Sequence, residues 1–153
     1  MTVLVVFDFD ETMIDGNIDL QLFDIIPSAE TLPTAQGLRN WHDLEPVWTD
    51  YMRRVFTEIH SVGVTEEQVI KRIQKVSLIP EIMKIWRHLS TLKQDQVEVL
   101  VLSDANTLFI SKVLEVQGLD KVANHVYSNP AWFDVNGQIR INHYHQHLSL
   151  IHI

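Results

Sequence analysis

The chain has 153 residues, enough for one domain with a hydrophobic core or for one domain with a small insertion. Its 20 acidic and 12 basic residues give a net charge of −8, which excludes the basic surface expected of a protein that binds nucleic acid or anionic membranes. The absence of cysteine excludes disulfides and thiolate chemistry within the chain. No stretch approaches the ~20 apolar residues of a membrane span, and the first apolar run has no basic leader and stops at Asp8, so we expect a cytoplasmic protein.

The first predicted elements are a strand, a helical segment and a loop. The run VLVVF, Val3–Phe7, is continuously apolar and rich in β-branched residues, which is typical of a strand buried on both faces of a parallel sheet. Asn17 can cap a helical segment that follows it. The apolar residues of that segment recur at helical spacing: Ile18, Leu22, Ile25 and Ile26. Two prolines, a glycine and small polar residues predict a loop over residues 27–37.

Three further helices are predicted before the second strand. The first ends near Gly63, and its apolar residues share one face: Val47, Tyr51, Val55, Phe56 and Ile59. Thr65 and Gln68 have the spacing of a capping box at the start of the second helix. Pro80 lies in the first turn of the third helix.

The remaining elements are a strand, a helix, a third strand and a hairpin. The run VEVLVLSD, residues 97–104, predicts the second strand, and residues 106–116 predict a helix that ends before Gly118. The run HVYSNP resembles a short strand, and FDVNGQIRIN predicts a hairpin that turns at residues 136–137. This order predicts an α/β fold, an open parallel sheet with a helical insertion directly after the first strand.

Both long strands end in polar residues that can form a site. Asp8 and Asp10 follow the first strand, and Ser103 and Asp104 close the second. Ligands of open α/β sheets bind beyond the carboxyl ends of the strands, so we expect these side chains to share one crevice. Carboxylates so close together repel each other, and burying them is costly without a compensating group.

This pattern suits phosphoryl transfer. An aspartate at a strand end can attack phosphorus and form an acyl-phosphate, and Mg²⁺ would neutralise the charge shared by the carboxylate and the phosphate. Asp10 lies on the same side of the extended chain as Asp8, where it can act first as general acid and then as general base. The hydroxyls of Thr12 and Ser103 can donate to phosphate.

The alternative is that these aspartates merely mark the junction of a strand and a loop, where aspartate is common. The position of Asp8 and Asp10 directly after a fully apolar run favours the catalytic interpretation. The matching hydroxyl-plus-aspartate ending of the second strand favours it as well.

The sequence also resembles a known group of enzymes. The motifs FDFDET and LSDAN are similar to those of the haloacid dehalogenase superfamily of aspartate-nucleophile phosphatases. A narrower resemblance, to the phosphoethanolamine/phosphocholine and pyridoxal phosphate phosphatases, extends from Val3 to about His147 and rests on FDFDETMIDGNIDLQ, YMRRVF, LSDANTLFI, SNPAWFDVNGQIRI and YHQH. It implies a haloacid dehalogenase-like core formed by residues 1–15 and 94–153, with residues 16–93 inserted as a helical cap.

The resemblance implies a role for each site residue. Asp8 would be the nucleophile and Asp10 the general acid/base, with Mg²⁺ held by the Asp8 carboxylate and the Asp10 main-chain carbonyl. Ser103 would bind phosphate, while Asp19 and Asp104 would face a cationic head group. The implied substrates are small phosphorylated metabolites: pyridoxal 5′-phosphate, phosphoethanolamine or phosphocholine, with thiamine monophosphate a weaker candidate.

The sequence departs from the superfamily pattern in its last part. The superfamily uses a lysine after the second strand and a further acidic pair in a GDGxND-like segment near the end, and no such segment occurs here. The chain ends in HLSLIHI where relatives continue, so we expect a phosphatase truncated at its C-terminus. The alternative function is a catalytically inactive phosphate-binding or regulatory fragment. Loss of later strands would expose a sheet edge, so the chain alone is expected to be poorly soluble or oligomeric.

Two further groups of residues have open interpretations. His143, His145 and His147 alternate and would share one face of an extended segment, where they could bind zinc or nickel, although an incidental origin is favoured. The aromatic residues of the insertion could line a substrate pocket, although packing between helices is favoured: Trp41, Trp48 and Tyr51.

Overall fold

The fold is built on a parallel sheet. The computed structural model describes residues 2–26, 47–93 and 95–144. Strands β1 (Val3–Phe7), β2 (Val97–Asn106) and β3 (His125–Asn129) pair in parallel in the order β1-β2-β3. Strands β4 (Ala131–Phe133) and β5 (Ile139–Ile141) form a separate antiparallel hairpin. The predicted α/β class with a parallel sheet is therefore confirmed.

Helical segments separate the first two strands, as the sequence predicts. A 3₁₀ helix, Asp19–Ile25, comes first. It is followed by helices α1 (Trp48–Ser61), α2 (Glu66–Ile73) and α3 (Pro80–Leu89). Helix α4 (Thr107–Val116) connects β2 to β3. The predicted helical insertion after the first strand is thus present.

Local capping sets the helix boundaries. Thr65 and Gln68 form the predicted capping box, in which the Thr65 hydroxyl accepts from the Gln68 amide and the Gln68 side chain accepts from the Thr65 amide. Pro80 occupies the first turn of α3, where its missing amide leaves no partner unpaired. Gly63 follows α1 with a φ of +82°, a conformation that glycine adopts without steric cost.

The segment after Asn17 forms a tighter helix than an α-helix. The Asn17 Oδ1 accepts hydrogen bonds from the amides of Asp19, at 2.9 Å, and Leu20, at 3.2 Å. Ile18 and Leu22 are fully buried. The predicted cap and apolar face are therefore present, although the backbone is a 3₁₀ helix.

Strand β1 is not buried on both faces, and that expectation is wrong. Val3 is 58% exposed, Leu4 57% and Val6 49%. Leu102 and Tyr127, which are register partners on β2 and β3, are also exposed, at 53% and 36%. The opposite face packs against helices, as the contact of Phe7 with Trp86 at 5.5 Å between ring centroids shows. Among the described residues, helices therefore cover one face of the sheet, which leaves Leu4 and Val6 exposed on the other face. Val3 is exposed because it lies at the start of the strand.

The core joins the insertion to the sheet. Phe56 of α1 meets Phe109 of α4 edge to face, at 5.7 Å between ring centroids. Both side chains are buried, as are Tyr51 and Trp86. Full burial of one large apolar side chain contributes roughly 1.5–3 kcal/mol, so these contacts hold α1 firmly beside the carboxyl end of β2.

The hairpin turns where the sequence predicts. Gly137 has a φ of +76°, and the Asp134 Oδ1 accepts from the amides of Asn136 and Gln138, at 2.9 and 3.1 Å. The predicted loop over residues 27–37 and the chain end lie outside the described residues. So do three side chains named in the predictions: Trp41, His145 and His147. None of the helices in the described ranges has the length and apolar character needed to cross a bilayer.

Candidate active site

A tight turn follows β1 and carries the first two aspartates. The Asp8 side chain is exposed, and its Oδ1 accepts from the Phe9 amide at 2.7 Å. The Phe9 carbonyl accepts from the amides of Met13, at 2.8 Å, and Ile14, at 3.3 Å, which closes the turn. Glu11 adopts a φ of +53°, a conformation that is uncommon for residues other than glycine. The turn leaves Asp8 open at the carboxyl end of β1.

Asp10 is the partly buried acid of the site. Its Oδ1 accepts from the Ile18 amide at 2.8 Å, and its Oδ2 is buried without a hydrogen-bond partner in the structure. Burial raises the pKa of Asp10 to about 7, and the charges of Asp19, Asp104 and Asp8 act in the same direction, while the Ile18 hydrogen bond opposes them. A carboxyl group that titrates near neutrality can both give and take a proton.

The end of β2 brings the second pair of predicted residues to the same region. Burial raises the pKa of Asp104, and the nearby charge of Asp8 raises it further, so the two carboxylates lie close enough to repel. Ser103 is buried, and its Oγ accepts from the Ala105 amide at 3.2 Å. Thr12 is exposed in the turn after β1. Ser103 and Thr12 thus flank the aspartates, and their phosphate-binding roles stay predictions.

Asp19 differs from the other aspartates because it is fully buried. Its Oδ1 accepts from Asn106 Nδ2 at 2.7 Å, and its Oδ2 accepts from Trp48 Nε1 at 2.8 Å. Burial raises the pKa of Asp19 to about 6 in spite of these two bonds, and the charge of Asp104 adds to the shift. Neither Asn106 nor the Trp48 indole was predicted from the sequence as a partner of this carboxylate. The position of Asn106 directly before an apolar helical run indicates a helix cap, and this was the only sign in the sequence that its side chain is held in place.

The donors at the strand ends fit a hard cation. Carboxylate and main-chain carbonyl oxygens, such as those of Asp8 and Asp10, are the ligand type that Mg²⁺ takes. A nearby positive charge would reduce the repulsion between Asp8 and Asp104. It would also stabilise the charge of Asp10, whose Oδ2 has no hydrogen-bond partner. No group of three or more histidine, aspartate or glutamate side chains placed to hold a metal ion exists within the described ranges.

His143 has a partner of a different kind. Its Nε2 lies 3.1 Å from Asp50 Oδ1, and this carboxylate also pairs with Arg53. The predicted alternation with His145 and His147 lies outside the described residues, so the metal interpretation of this cluster stays a prediction.

A surface cavity of about 350 Å³ lies between α1 and the β4–β5 hairpin. It is lined in part by Arg53, Trp132 and Arg140, and none of the four aspartates of the candidate site lines it. The guanidinium groups are already paired, Arg53 with Asp50 and Arg140 with Asp134. We therefore place the candidate site at the aspartates.

The fold is similar to that of haloacid dehalogenase family hydrolases of known structure. A solved structure of phosphoserine phosphatase, a phospho-aspartyl intermediate analogue, superposes with a TM-score of 0.56 at 16% identity, over 92% of this chain and 63% of that chain. A haloacid dehalogenase family hydrolase from Salmonella enterica gives a TM-score of 0.58 at 13% identity, over 90% of this chain and 44% of its own. At these identities the likeness concerns the fold alone.

The chain belongs to the family described as "Putative Phosphatase", whose family model matches residues 3–151. The pyridoxal phosphate phosphatase PHOSPHO2 of Mus musculus is 32% identical over 147 residues, which cover 96% of this chain and 59% of the mouse protein. A thiamine phosphate phosphatase-like protein of Arabidopsis thaliana is 30% identical over 146 residues, or 94% of this chain and 54% of that protein. The resemblance found from the motifs is confirmed, and the chain spans less than two thirds of these relatives.

Proposed function

We propose that this chain carries the nucleophile and the general acid/base of a Mg²⁺-dependent phosphomonoesterase that acts on small phosphorylated metabolites. The observation that supports this most directly is that Asp8 and Asp10, two residues apart, lie in different environments. Asp8 is exposed at the strand end, whereas Asp10 is partly buried with one unpartnered oxygen and a pKa raised to about 7. Carboxyl groups held in such different environments can take the two roles that phosphoryl transfer needs.

The proposed reaction has two steps. A carboxylate oxygen of Asp8 attacks phosphorus, the bond from phosphorus to the leaving oxygen breaks, and Asp10 gives its proton to that oxygen. Asp10 then removes a proton from water as the water oxygen attacks phosphorus. The bond from phosphorus to the Asp8 oxygen breaks, which releases inorganic phosphate and restores the Asp8 carboxylate. When bound, Mg²⁺ would be held by the Asp8 carboxylate and the Asp10 carbonyl and would neutralise charge on the phosphate.

The surroundings of Asp8 and the names of the relatives support a proposal for the substrate class. Asp104 leaves its carboxylate exposed beside Asp8, which favours a leaving group with an amine or ammonium. Pyridoxal 5′-phosphate, phosphoethanolamine and phosphocholine are the candidates that we propose, and the name of the mouse relative supports the first. The helical insertion, residues 16–93, would act as a cap that selects the leaving group and excludes water. We place this activity in the cytoplasm.

A catalytically inactive phosphate-binding fragment is the second candidate. It is favoured by the incomplete set of carboxylates, because no cluster of three metal-binding side chains occurs in the part of the chain that the structure describes. The two candidates differ in whether Asp8 becomes covalently phosphorylated.

Acid-quench trapping with a radiolabelled phosphomonoester and Mg²⁺ tests the proposal. Wild-type protein should retain label, Asp8→Asn should retain none, and Asp15→Asn should label like the wild type because Asp15 is an exposed carboxylate of the same loop. Label that persists in Asp8→Asn would refute Asp8 as nucleophile. Saturable binding of inorganic phosphate without any label would support the inactive fragment.

A further inference from the structure

The buried carboxylate of Asp19 has a geometry that does not suit contact with a substrate. Its side chain has no exposed surface, and each of its two oxygens already accepts a hydrogen bond of 2.7 or 2.8 Å. A carboxylate that binds a cationic head group needs an oxygen open to the crevice. We infer that Asp19 is a positioning residue that holds the Ile18 amide on the Asp10 carboxylate and ties α1 to the start of α4.

The first part of this inference rests on three consecutive residues. The Asn17 Oδ1 accepts from the Asp19 amide at 2.9 Å, and the Ile18 amide donates to Asp10 Oδ1 at 2.8 Å. Ile18 is itself fully buried. Since Ile18 lies between the two anchored residues, movement of Asp19 would displace the amide that orients Asp10.

The second part rests on the two donors, which come from distant parts of the chain. Trp48 begins α1, and its indole N–H reaches Asp19 Oδ2. Asn106 follows Asp104 by two residues and caps α4, because its Oδ1 accepts from the Phe109 amide at 3.0 Å while its Nδ2 donates to Asp19. One carboxylate therefore links the insertion to the strand end that carries Asp104.

The chemistry of the network explains why a carboxylate occupies this position. Burial of a charged group is costly, and hydrogen bonds from an amide and an indole offset part of that cost. Asparagine would offer only one acceptor oxygen, so Asp19→Asn must leave either Asn106 or Trp48 without an acceptor. Hydrogen bonds to charged groups contribute more to stability than hydrogen bonds between neutral groups, so this substitution is a sharp probe of the hydrogen bonds around Asp19.

Kinetics with two substrates separates positioning from substrate contact, and this arm rests on the proposed function. We would compare Asp19→Asn and Trp48→Phe with wild type on phosphoethanolamine, whose leaving group carries an ammonium, and on phenyl phosphate, whose leaving group has no cationic group. Positioning predicts that kcat falls by about tenfold or more on both substrates, with their KM ratio unchanged. A rise in KM confined to phosphoethanolamine would overturn the inference. Asp24→Asn, an exposed carboxylate of the same 3₁₀ helix, is the matched control and should behave like the wild type.

Amide hydrogen exchange tests the inference without reference to activity. We expect exchange of the Ile18 amide to accelerate by about tenfold or more in Asp19→Asn, because opening of the segment becomes easier, while the amides of β2 keep their wild-type rates. If the Ile18 amide of Asp19→Asn exchanges at the wild-type rate, the inference is overturned, whatever the kinetics show. A wild-type protein without phosphatase activity would refute the proposed function. The exchange measurement would still show whether Asp19 holds the Ile18 amide in place. Should Asp19→Asn fail to fold, Trp48→Phe removes a single donor and serves as the second variant.

Discussion

The main-chain amide of Ile18 donates to Oδ1 of Asp10 at 2.8 Å and leaves Oδ2 of the same carboxyl group buried without a partner. The two oxygens of one side chain therefore have different environments. One oxygen is held by a backbone hydrogen bond, and the other has no hydrogen-bond partner and can carry a proton. This asymmetry underlies the assignment of Asp10 as general acid/base.

Replacement of the general acid should depend on the leaving group. Asp10→Asn keeps an acceptor for the Ile18 amide but removes the proton donor, so we expect kcat to fall by about 10²–10⁴-fold on an alkyl phosphate. The loss should be smaller on p-nitrophenyl phosphate, whose leaving group needs little protonation. Steady-state kinetics of both substrates checks this. Equal losses on the two would contradict the assignment of Asp10.

The raised pKa values predict how the stability of the metal-free protein varies with pH. The pKa of Asp10 is raised from 3.8 to about 7 and that of Asp19 to about 6, so between pH 4 and 7 the folded state binds more protons than the unfolded state. The free energy of unfolding should therefore fall as pH rises through this window, and each unit of pKa difference is worth about 1.4 kcal/mol. Denaturant unfolding at pH 5 and at pH 7.5, in the presence of a chelator, measures the change in the free energy of unfolding. Asp10→Asn should flatten the dependence, and a wild-type stability that rises with pH would contradict the prediction.

The contact between Phe56 and Phe109 should be a major source of stability. Both rings are buried and meet edge to face, so Phe56→Ala should lower the free energy of unfolding by about 3–5 kcal/mol through lost burial and a cavity. Chemical denaturation followed by circular dichroism gives the value. Trp132→Ala is the control, because Trp132 is 44% exposed and its loss should cost much less.

The capping box of α2 should make a smaller, local contribution. Thr65→Ala removes the hydroxyl that accepts from the Gln68 amide and should cost about 1 kcal/mol of stability. A double-mutant cycle with Gln68→Ala isolates the reciprocal pair. If the two losses add fully, the reciprocal bonds do not act as a unit.

The uncovered face of the sheet should cause self-association. Val6 and Leu102 are about half exposed on the face that the described helices leave open, and exposed apolar patches promote association. We expect the isolated chain to be oligomeric in size-exclusion chromatography with light scattering, and Val6→Lys combined with Leu102→Lys to shift it toward monomer. A monomeric wild-type peak with a cooperative melting transition would contradict this.

The sequence predicted the elements whose residues lie close together in the chain. The Thr65–Gln68 capping box, Pro80 in the first turn of α3 and the turn at Gly137 depend on local backbone preferences, and all three are present. The same reasoning misjudged β1, because an apolar run indicates a strand but cannot tell how many of its faces other elements cover.

The α/β class, the helical insertion and the motif that places Asp8 and Asp10 after a strand could be predicted, because they follow from periodicity and short-range spacing in the sequence. The surroundings of each aspartate could not be predicted, because they depend on contacts between distant parts of the chain. Trp48 and Asn106 reach Asp19 across separations of 29 and 87 residues. The burial and the raised pKa values of Asp10 and Asp19 depend on such long-range packing, since desolvation is set by every element that closes around a carboxylate.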